Sequence, residues 1–587
     1  MAAICLILIA IAFLPANNLA CKAPDINETK KDWWQTAQFY QIYPRSFMDS
    51  NGDGIGDLNG ITSKLEYLQE IGATAAWLSP IFKSPMVDFG YDISDFYEIQ
   101  PEYGTIDDLR KLIVKAKSLG LKIILDFVPN HSSNENEWFK KSVKRERGYE
   151  DFFVWHDGYE NPNGGKRLPP SNWLQSFRGS AWEWNDDRKQ FYLHQFAVQQ
   201  PDLNYRNPLV VEEMKRVLRF WLDVGVDGFR IDAVPNLFEA LPNNTGHYPD
   251  EPISGNTDDK DNSEYLNHIY TQNQPETLDM VYQWRTVMDD YQRIHGGETR
   301  VLLIETYSPA WFTMQLYGTS SRQGAHLPFN FNLIRMLTKG FKATDLEKSI
   351  AAWLDNMPAG KTANWVTGNH DNRRVASRYG IQVADTLNML VMILPGASIT
   401  YQGEELGMID GEISWTDTKD PAACNSNPQI YENFTRDPAR TPFQWDSSRN
   451  SGFSTAAKTW LPLASGYETT NVEEERKITK SHLNIYKALV NLRKSSKLLQ
   501  NGKYRFKALH EDVFILERSL ASGEKLIFLA NVGGSPFTVD LRVFDVTLPE
   551  TLKTSIINVQ SNKGDGVVLS SGNIELIAYE ALVLVKS

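Results

Sequence analysis

The sequence predicts an α/β protein whose main domain is a (β/α)8 TIM barrel, and three observations support this. Short apolar runs that suit buried strands alternate with amphipathic stretches that suit helices, the pattern of parallel β/α units. Eight strand candidates of this kind occur between residues 39 and 402. Three long irregular segments leave from the carboxyl ends of such candidates, the side on which barrels carry their binding loops.

The candidate strands lie at 39–44, 75–80, 122–128, 228–234, 300–305, 325–329, 364–367 and 398–402. Residues 132–204, rich in Gly, Pro, Asn and Trp, are too long for a loop in a compact domain. We therefore predict an inserted subdomain there, after the third strand, and a barrel made of 21–131 and 205–500. Shorter insertions at 243–273 and 407–445 follow the fourth and eighth strands.

The last part of the chain has a different pattern. From residue 501 the apolar residues alternate with polar ones at a spacing of two, and Gly533 and Gly534 provide a turn between such runs. This pattern is typical of antiparallel strands with one buried face. We predict a C-terminal antiparallel β-sandwich domain over 501–587.

Composition limits the possible partners. The 587 residues carry a net charge of -13, so nucleic acid and anionic membrane surfaces would be repelled. After the N-terminal apolar run no segment is long enough to span a bilayer, so no transmembrane segment is predicted. The 16 Trp include many outside apolar runs, which suits stacking on sugar rings, although core packing explains most of them.

The N-terminus predicts a secreted, extracellular protein, in a digestive-tract lumen or held at a cell surface. Residues 1–20 form an apolar run with a small-residue exit, typical of a signal peptide, although the usual basic residue is missing. Cleavage would leave Cys21 and Cys424, which allow one disulfide at most. Sequons predict N-glycosylation at Asn27, Asn243 and Asn433.

Four acidic residues stand at or just past the ends of candidate strands: Asp126, Asp232, Glu305 and Asp371. Carboxylates that converge on one barrel mouth repel each other, so stability does not explain the set. Any single one could instead cap a helix. A carboxylate pair flanking a bond is what glycoside hydrolysis needs, one ionised at the reacting carbon and one protonated beside the leaving oxygen.

Neighbouring residues refine these roles. By strand alternation, Arg230 faces the same side as Asp232 and is expected to keep that carboxylate ionised. Glu305 follows the apolar run 301–304, a buried setting that favours its protonated form and the acid role. His131 and His370 are polar groups placed to bind sugar hydroxyls, or alternatively histidines that serve the structure alone.

A loop near the N-terminus suits a hard cation. Asp49, Asn51, Asp53 and Asp57 offer oxygen ligands at a spacing that fits Ca²⁺. The loop is not an EF-hand, because Gly60 occupies the twelfth position and no helix precedes it. We expect one structural calcium ion; a solvated Asp and Gly turn is the alternative.

Five ordered motifs resemble a known family. Asp126-Phe-Val-Pro-Asn-His131, Gly228-Phe-Arg-Ile-Asp232, Ile304-Glu305 and Gly368-Asn-His-Asp371 are similar to the four conserved regions of the α-amylase superfamily, glycoside hydrolase family 13. Gln200-Pro-Asp-Leu-Asn204 resembles the additional region of its oligo-1,6-glucosidase and α-glucosidase branch. The resemblance covers essentially the whole mature chain.

Further segments narrow the resemblance. Ile413-Ser-Trp-Thr-Asp417, Asp420-Pro-Ala-Ala-Cys424 and the stretch 436–445 are similar in particular to those of the secreted maltases of insects. The resemblance implies a secreted retaining exo-α-glucosidase, a maltase. It would release terminal α-1,4-linked glucose from maltose and short malto-oligosaccharides by double displacement, through a covalent glucosyl-enzyme intermediate.

The resemblance also implies residue roles. Asp232 would be the nucleophile, Glu305 the acid and base, and Asp371 the third carboxylate, which binds the sugar in the transition state. In a closed pocket for the non-reducing end, Asp88 would hold hydroxyls together with Arg440, and Tyr91 would stack on the ring. Arg436, four residues before Arg440, is the alternative partner of Asp88.

Two further implications concern specificity and calcium. Relatives that prefer α-1,6 bonds tend to carry Val directly after the nucleophile, where this chain has Ala233, so maltose-like substrates are favoured. Sucrose is expected as a second substrate because its glucose half is also α-linked. The Asp49 loop matches a calcium-binding loop of this branch, which adds Ile55 to the predicted ligands.

Two other functions compete with this one. The chain could be a catalytically silent relative, such as the heavy subunit of an amino-acid transporter, or a receptor, but Asp232, Glu305 and Asp371 are all present. It could also be an endo-acting amylase, which the expected closed pocket disfavours. The sequence leaves open whether the protein is a monomer or a homodimer.

Overall fold

A computed structural model describes residues 31–587 of the protein. Its largest sheet has eight strands: β1 Gln38–Ile42, β2 Ala75–Leu78, β3 Lys122–Phe127, β4 Gly228–Ile231, β5 Val301–Ile304, β6 Leu327–Pro328, β7 Asn364–Val366 and β8 Ala397–Tyr401. All neighbouring pairs are parallel, in the order β6-β5-β4-β3-β2-β1-β8-β7. The predicted barrel is confirmed.

Alternation along the strands divides their side chains between two layers. In β5, Val301 and Leu303 pack inside the barrel, whereas Leu302 and Ile304 pack against the surrounding helices. In β4, Phe229 and Ile231 belong to the outer layer. The residues between and beyond them, including Arg230, therefore face the barrel interior.

Side chains close the barrel at one seam. The strands β6 and β7 end the row of hydrogen-bonded strands and are not paired with each other. Across this gap the Asn364 side chain donates from Nδ2 to the Pro328 carbonyl at 2.6 Å and accepts from the Asn330 N–H at 2.9 Å. One amide side chain thus replaces part of a strand ladder.

Helices enclose the sheet: Leu58–Ser63, Leu65–Glu70, Ile106–Ser118, Pro208–Val224, Glu276–His295, Ala310–Thr313, Asn332–Arg335, Ala343–Leu354, Val375–Tyr379, Ala384–Ile393, Val472–Lys477 and His482–Ser495. The helix before β4 shows how local sequence sets the boundaries. Asn207 caps its N-terminus by accepting from the Leu209 N–H, Pro208 occupies the first turn, and Gly225 ends it in a left-handed conformation.

The insertion after β3 forms the predicted subdomain. It contains the helix Glu137–Val143 and a three-stranded antiparallel sheet of Trp155–His156, Gln190–Leu193 and Trp182–Asn185. A small core, including Trp173 at 0% exposure, holds it together. A short hairpin after β2 pairs Phe82–Lys83 with Asp95–Ile99, and the motif around Asp88 lies between its strands. The segment after β8 includes the helix Pro421–Cys424.

The C-terminal domain is antiparallel, as predicted. Lys497–Asn501 leads into a six-stranded sheet, whose order is Lys503–His510, Val513–Ser519, Lys525–Asn531, Ala581–Lys586, Thr551–Ile557 and Val568–Ser570. A second pair, Phe537–Val539 with Ile574–Leu576, packs over a shared apolar core. The alternating pattern of the sequence explains that core, because one face of each strand is buried.

Several sequence predictions fall outside the described residues: the signal peptide over 1–20, Cys21 and the sequon at Asn27. Within 31–587, no helix is both long and apolar enough to cross a bilayer. Asn243 and Asn433 are exposed, as acceptor asparagines must be, and so is Cys424.

Candidate active site

Three carboxylates meet on one buried arginine inside the barrel mouth. Arg230 on β4 is 1% exposed, and its Nη1 lies 2.9 and 3.1 Å from the two oxygens of Asp126 on β3. The same Nη1 donates to Asp232, just past the end of β4. Nη2 lies 2.9 Å from Oε1 of Glu305, just past β5. Because all four side chains share the inward-facing parity, neighbouring strands bring them together.

This group, which we call the Arg230 cluster, holds more negative than positive charge. Burial raises the pKa of Asp126 to about 6, against the effect of Arg230. Burial likewise raises the pKa of Asp232 well above its usual value, and the charges of Glu305 and Asp126 add to this while Arg230 opposes it. The sequence had suggested that Arg230 keeps Asp232 ionised. In the structure Arg230 is shared by three carboxylates, and it does not offset the effect of burial on the pKa of Asp232. The cluster favours holding a proton.

The backbone after the nucleophile candidate is unusual. Ala233 has φ 47° and ψ 34°, the left-handed conformation that few non-glycine residues adopt. This turn aims the Ala233 N–H at Oε2 of Glu305, 2.9 Å away. Ala233 is therefore not part of the strand; its conformation orients the Glu305 carboxyl.

Gly228, which opens the same motif, is required by close packing. Its φ is 154°, and a Cβ there would lie 2.3 Å from the carbonyl oxygen of Val301 on β5. Only glycine allows β4 and β5 to approach this closely. The spacing between Asp232 and Glu305 depends on that approach.

A second group of charges, which we call the Arg436 cluster, lies across the mouth. Arg436 Nη2 donates to Asp88 at 2.9 Å, and its Nη1 donates to Asp371 at 3.2 Å. Arg440 Nη2 donates to the same Asp371 oxygen at 3.1 Å. Burial alone would raise the pKa of Asp371, but the guanidinium groups of Arg436 and Arg440 hold it well below its usual range. Asp371 is therefore the carboxylate of the site that stays ionised.

The partner of Asp88 differs from the expectation. Arg436, and not Arg440, pairs with Asp88 and lines the cavity. Arg440 is 1% exposed and lies beneath, where its Nε donates to the His370 carbonyl at 2.9 Å. The two arginines are four residues apart on one short turn, Asp437–Arg440 with its preceding residue, so residue spacing could not tell which faces the pocket.

Tyr91 and His370 form a flat wall. Their rings stack with centroids 5.3 Å apart and an angle of 2° between the planes, and Tyr91 Oη lies 2.6 Å from His370 Nε2. Gln41 on β1 bonds to the other ring nitrogen at 2.8 Å. Burial lowers the pKa of His370 to about 3, so the ring is neutral at ordinary pH. A neutral imidazole can donate to a hydroxyl without adding charge.

His131 lines the cavity from the inserted subdomain's side. Its Nε2 lies 3.1 Å from the Tyr91 carbonyl and 3.1 Å from the Gln200 side-chain nitrogen. Burial lowers its pKa to about 3. Gln200 also donates to Asp88 at 3.2 Å. His131 thus borders the pocket and also contacts the backbone of Tyr91, another lining residue.

The two clusters face one cavity of about 230 Å³. Its lining includes every predicted catalytic carboxylate, together with Asp88, Tyr91, His131, Ala233 and His370. Sequence reasoning did not anticipate several other lining residues: Ser176, Phe177, Phe196, Asn236, Gln272 and Tyr307. Ser176, Phe177 and Phe196 come from the insertion 132–204, whose Trp-rich composition was the only signal for them. Asn236, Gln272 and Tyr307 follow strands β4 and β5, in stretches without a regular periodicity.

The predicted calcium loop is folded by its own side chains. Asp49 Oδ1 accepts from the Asn51 N–H at 3.0 Å, Asn51 Oδ1 from the Asp53 N–H at 2.9 Å, and Asp53 Oδ1 from the Ile55 N–H at 2.8 Å. Asp57 caps the next helix. Among residues 31–587 no three His, Cys, Asp or Glu side chains gather around one ion position. The loop offers oxygen donors, then, but not a cage of three carboxylates.

Known proteins match this chain in sequence and in overall structure. The profile of the alpha amylase catalytic domain matches residues 41–502. Maltase A1 of Drosophila melanogaster is 52% identical over 559 residues, which are 94% of this chain and 96% of that relative. The salivary alpha-glucosidase of Anopheles gambiae is 50% identical over 557 residues, 94% of this chain and 93% of that one.

A solved structure extends the agreement to three dimensions. That of the alpha-glucosyl transfer enzyme XgtA superposes with a TM-score of 0.81 at 31% identity, covering 95% of this chain and 100% of that one. The matches include the barrel and the C-terminal domain alike. The chain belongs to the α-amylase family, glycoside hydrolase family 13.

Proposed function

We propose that this chain, an α-glucosidase by its relatives, is a retaining exo-acting maltase that releases terminal α-1,4-linked glucose from maltose and short malto-oligosaccharides. One observation carries the proposal: Asp232 and Glu305, at the ends of adjacent strands, share the guanidinium of Arg230 and face one cavity. Carboxyl groups held this close suit a direct attack on the sugar, whereas inversion needs room for an intervening water.

The proposed reaction has two displacements. The Asp232 carboxylate attacks the anomeric carbon and forms a glucosyl ester, while Glu305 gives its proton to the departing glycosidic oxygen. Glu305, now ionised, then takes a proton from a water molecule that attacks the same carbon and releases Asp232. The Arg230 cluster suits this cycle because it is rich in carboxylates and poor in cations, so one proton can stay within it.

The Arg436 cluster supports exo action. Asp88, Arg436 and Asp371 join the hairpin after β2 to the loops after β7 and β8, and so close the cavity on one side. The stacked Tyr91 and His370 provide a face on which a sugar ring can lie. A cavity closed in this way accepts a chain end but not the middle of a chain.

The names of the relatives and the small Ala233 side chain favour maltose-like substrates. Sucrose is proposed as a second substrate, because its glucose half offers the same α-linked unit. An endo-acting amylase would need an open groove, and a catalytically silent relative would not need the three carboxylates that line the cavity.

Initial rates on maltose, isomaltose, sucrose and starch test this function directly. Maltose should react fastest, sucrose should react measurably, and starch should react slowly, with glucose as the first product. NMR during the first turnovers should show the α-anomer of glucose. Release of the β-anomer would contradict the double displacement, and early release of long fragments from starch would contradict exo action.

We further propose one structural Ca²⁺ in the Asp49 to Asp57 loop. Support comes from the run of side-chain oxygens at Asp49, Asn51 and Asp53, and from the backbone carbonyl of Ile55, which follows them. Dialysis against a chelator should lower the unfolding temperature, and calcium but not magnesium should restore it. Equal unfolding temperatures before and after chelation would remove the ion from the proposal.

Secretion is also proposed, with residues 1–20 removed and glycans on Asn27, Asn243 and Asn433. The exposure of Asn243 and Asn433 supports two of these positions. Expression of the full chain in insect cells should yield protein in the medium that begins near residue 21 and loses mass on deglycosylation. Retention of the first 20 residues in cell-associated protein would contradict the signal-peptide assignment.

A further inference from the structure

Asp420, a residue without an assigned role, lies behind the wall of the cavity. It belongs to the segment after β8, is 0% exposed, and caps the helix Pro421–Cys424. It does not border the cavity. Any part it plays in substrate binding must therefore act through a neighbour.

That neighbour is Arg436. Asp420 Oδ2 accepts from the Arg436 backbone N–H at 2.6 Å and from its Nε at 2.8 Å, and Oδ1 accepts from Nη2 at 2.7 Å. A carboxylate that binds both Nε and Nη2 occupies one edge of the planar guanidinium. The remaining N–H groups then have a single direction, toward Asp88 and Asp371.

Charge neutralisation does not explain Asp420. Two arginines, Arg436 and Arg440, already face two carboxylates, Asp88 and Asp371, so a third buried carboxylate makes the cluster negative. Burying an extra charge is unfavourable unless its hydrogen bonds bring something else. In this geometry the hydrogen bonds fix the orientation of the Arg436 guanidinium. A free arginine side chain has many rotamers, whereas the bonds from Nε and Nη2 to Asp420 select one.

The same segment also reaches the inserted subdomain. Asn425, on the C-terminal side of the helix, donates from Nδ2 to the Phe177 carbonyl at 2.8 Å, and Ala422 packs against the Phe177 ring. The Arg436 guanidinium lies 4.8 Å from the centre of that ring. Phe177 lines the cavity, so the segment around Asp420 holds both a charged and an aromatic part of its wall.

We propose that Asp420 is a positioning residue, which holds the Arg436 fork across Asp88 and Asp371 and thereby sets the affinity for the terminal glucose unit. This inference rests on the proposed function of the site. It predicts that loss of the Asp420 charge weakens glucose binding while the chemistry at Asp232 and Glu305 continues.

The test compares Asp420→Asn with Asp385→Asn. Asp385 is equally buried, at 1% exposure, and bonds to His482 at 2.6 Å on the outer side of the barrel. Asp420→Asn should raise KM on the order of tenfold or more for both maltose and p-nitrophenyl α-glucoside, since both place the same glucose in the pocket, with a much smaller change in kcat. Asp385→Asn should lower the unfolding temperature and leave KM unchanged.

A double-mutant cycle separates positioning from general destabilisation. If Asp420 acts through Arg436 on Asp88, the effects of Asp420→Asn and Asp88→Asn on KM should be less than additive. Should Asp420→Asn not fold, Asp420→Glu gives the same readout, because it keeps the charge but displaces the fork. Additive effects, or an unchanged KM in a folded variant, would overturn the inference. A wild-type protein that hydrolyses no α-glucoside would instead overturn the proposed function.

Discussion

The two buried charge clusters at the barrel mouth use arginine differently. In the Arg230 cluster one guanidinium serves three carboxylates, Asp126, Asp232 and Glu305. In the Arg436 cluster two guanidinium groups serve Asp88, Asp371 and Asp420. Both lie in the same protein interior, but the Arg436 cluster has one more cation for the same number of carboxylates.

The ratio of guanidinium groups to carboxylates differs between the clusters, and so do the pKa shifts of Asp232 and Asp371. Burial and neighbouring carboxylates raise the pKa of Asp232, whereas two arginines lower the pKa of Asp371 against the effect of burial. The Arg230 cluster suits proton transfer, whereas in the Arg436 cluster Asp371 stays ionised and can accept from hydroxyl groups. Carboxylates set around one cavity can therefore have separate roles, because their charged neighbours differ.

Breaking the Arg230 cluster should have the largest effect. Asp232→Asn removes the nucleophile and should lower kcat on maltose by about 10⁴-fold or more, with the fold retained because Asn can still accept from Arg230. Glu305→Gln should lower kcat on maltose by about 10² to 10⁴-fold, yet spare p-nitrophenyl α-glucoside more, since that leaving group needs no proton. Steady-state kinetics and circular dichroism provide the measurements. Equal losses on both substrates in Glu305→Gln would argue against its acid role.

The Arg436 cluster should respond in binding rather than in chemistry. Arg436→Lys keeps the charge but cannot bridge Asp88, Asp371 and Asp420 together, so KM for maltose should rise by about ten- to a hundredfold. Arg440→Lys, one layer deeper, should raise KM less, because Asp88 keeps its partner. The two variants form a matched pair for steady-state kinetics. A larger KM change in Arg440→Lys would restore Arg440 as the partner of Asp88.

The pH dependence should reveal Asp88. Burial raises its pKa from 3.8 to about 6, so kcat/KM should fall as pH falls through about 6 and the ion pair with Arg436 is lost. Stability should move in the opposite direction. Because the folded pKa exceeds the unfolded one, ionisation of Asp88 makes folding less favourable as pH rises toward 6.

Asp88→Asn isolates this contribution. The free energy of unfolding of the wild type, measured relative to Asp88→Asn, should decrease as pH rises between the two pKa values. The acid limb of kcat/KM near pH 6 should flatten in the variant. An unchanged limb would assign it to another group, such as Asp126, whose pKa is also raised to about 6.

The smallest effect is expected at Ala233. Ala233→Val should shift the ratio of rates from maltose toward isomaltose by a few fold, and it should also lower stability by about 1 to 3 kcal/mol, because a β-branched residue is strained at φ 47°. Rates on the two disaccharides and a thermal melt would measure both. Ala233→Gly, which relieves the strain without adding bulk, is the control, and an unchanged ratio in Ala233→Val would remove this residue from bond specificity.

Strand periodicity was sufficient to predict the barrel and the convergence of Asp232 and Glu305, whereas Asp371, in the loop after β7, was placed by strand order alone. The two-residue alternation fixes which side chains face inward, and chain order fixes which strands are neighbours. It could not distinguish Arg436 from Arg440, because both lie on one irregular turn and residue spacing does not show that the buried Asp420 bonds to Arg436.

Other features lay beyond the sequence for similar reasons. The left-handed turn at Ala233 has no signature in an alanine, and Phe177 reaches the cavity from a segment without regular structure. The proposed calcium loop shows the converse. The spacing of its oxygen ligands is visible in the sequence. Spacing alone does not determine whether three carboxylates lie around one ion, and in residues 31–587 no three do.

The seam between β6 and β7 lacks the backbone ladder that joins the other neighbouring strands of the barrel. One Asn364 side chain joins strands that elsewhere are joined by ladders, and Asn330 beside it leads to Phe331, on which the cavity residue Tyr307 stacks at 4.2 Å. Thermal opening would begin where the fewest backbone bonds must break. On warming, the cavity wall at Tyr307 would become mobile first, while β4 and β5 still hold Asp232 and Glu305 in register. The affinity for sugar would therefore fall before the two carboxyl groups lose their arrangement.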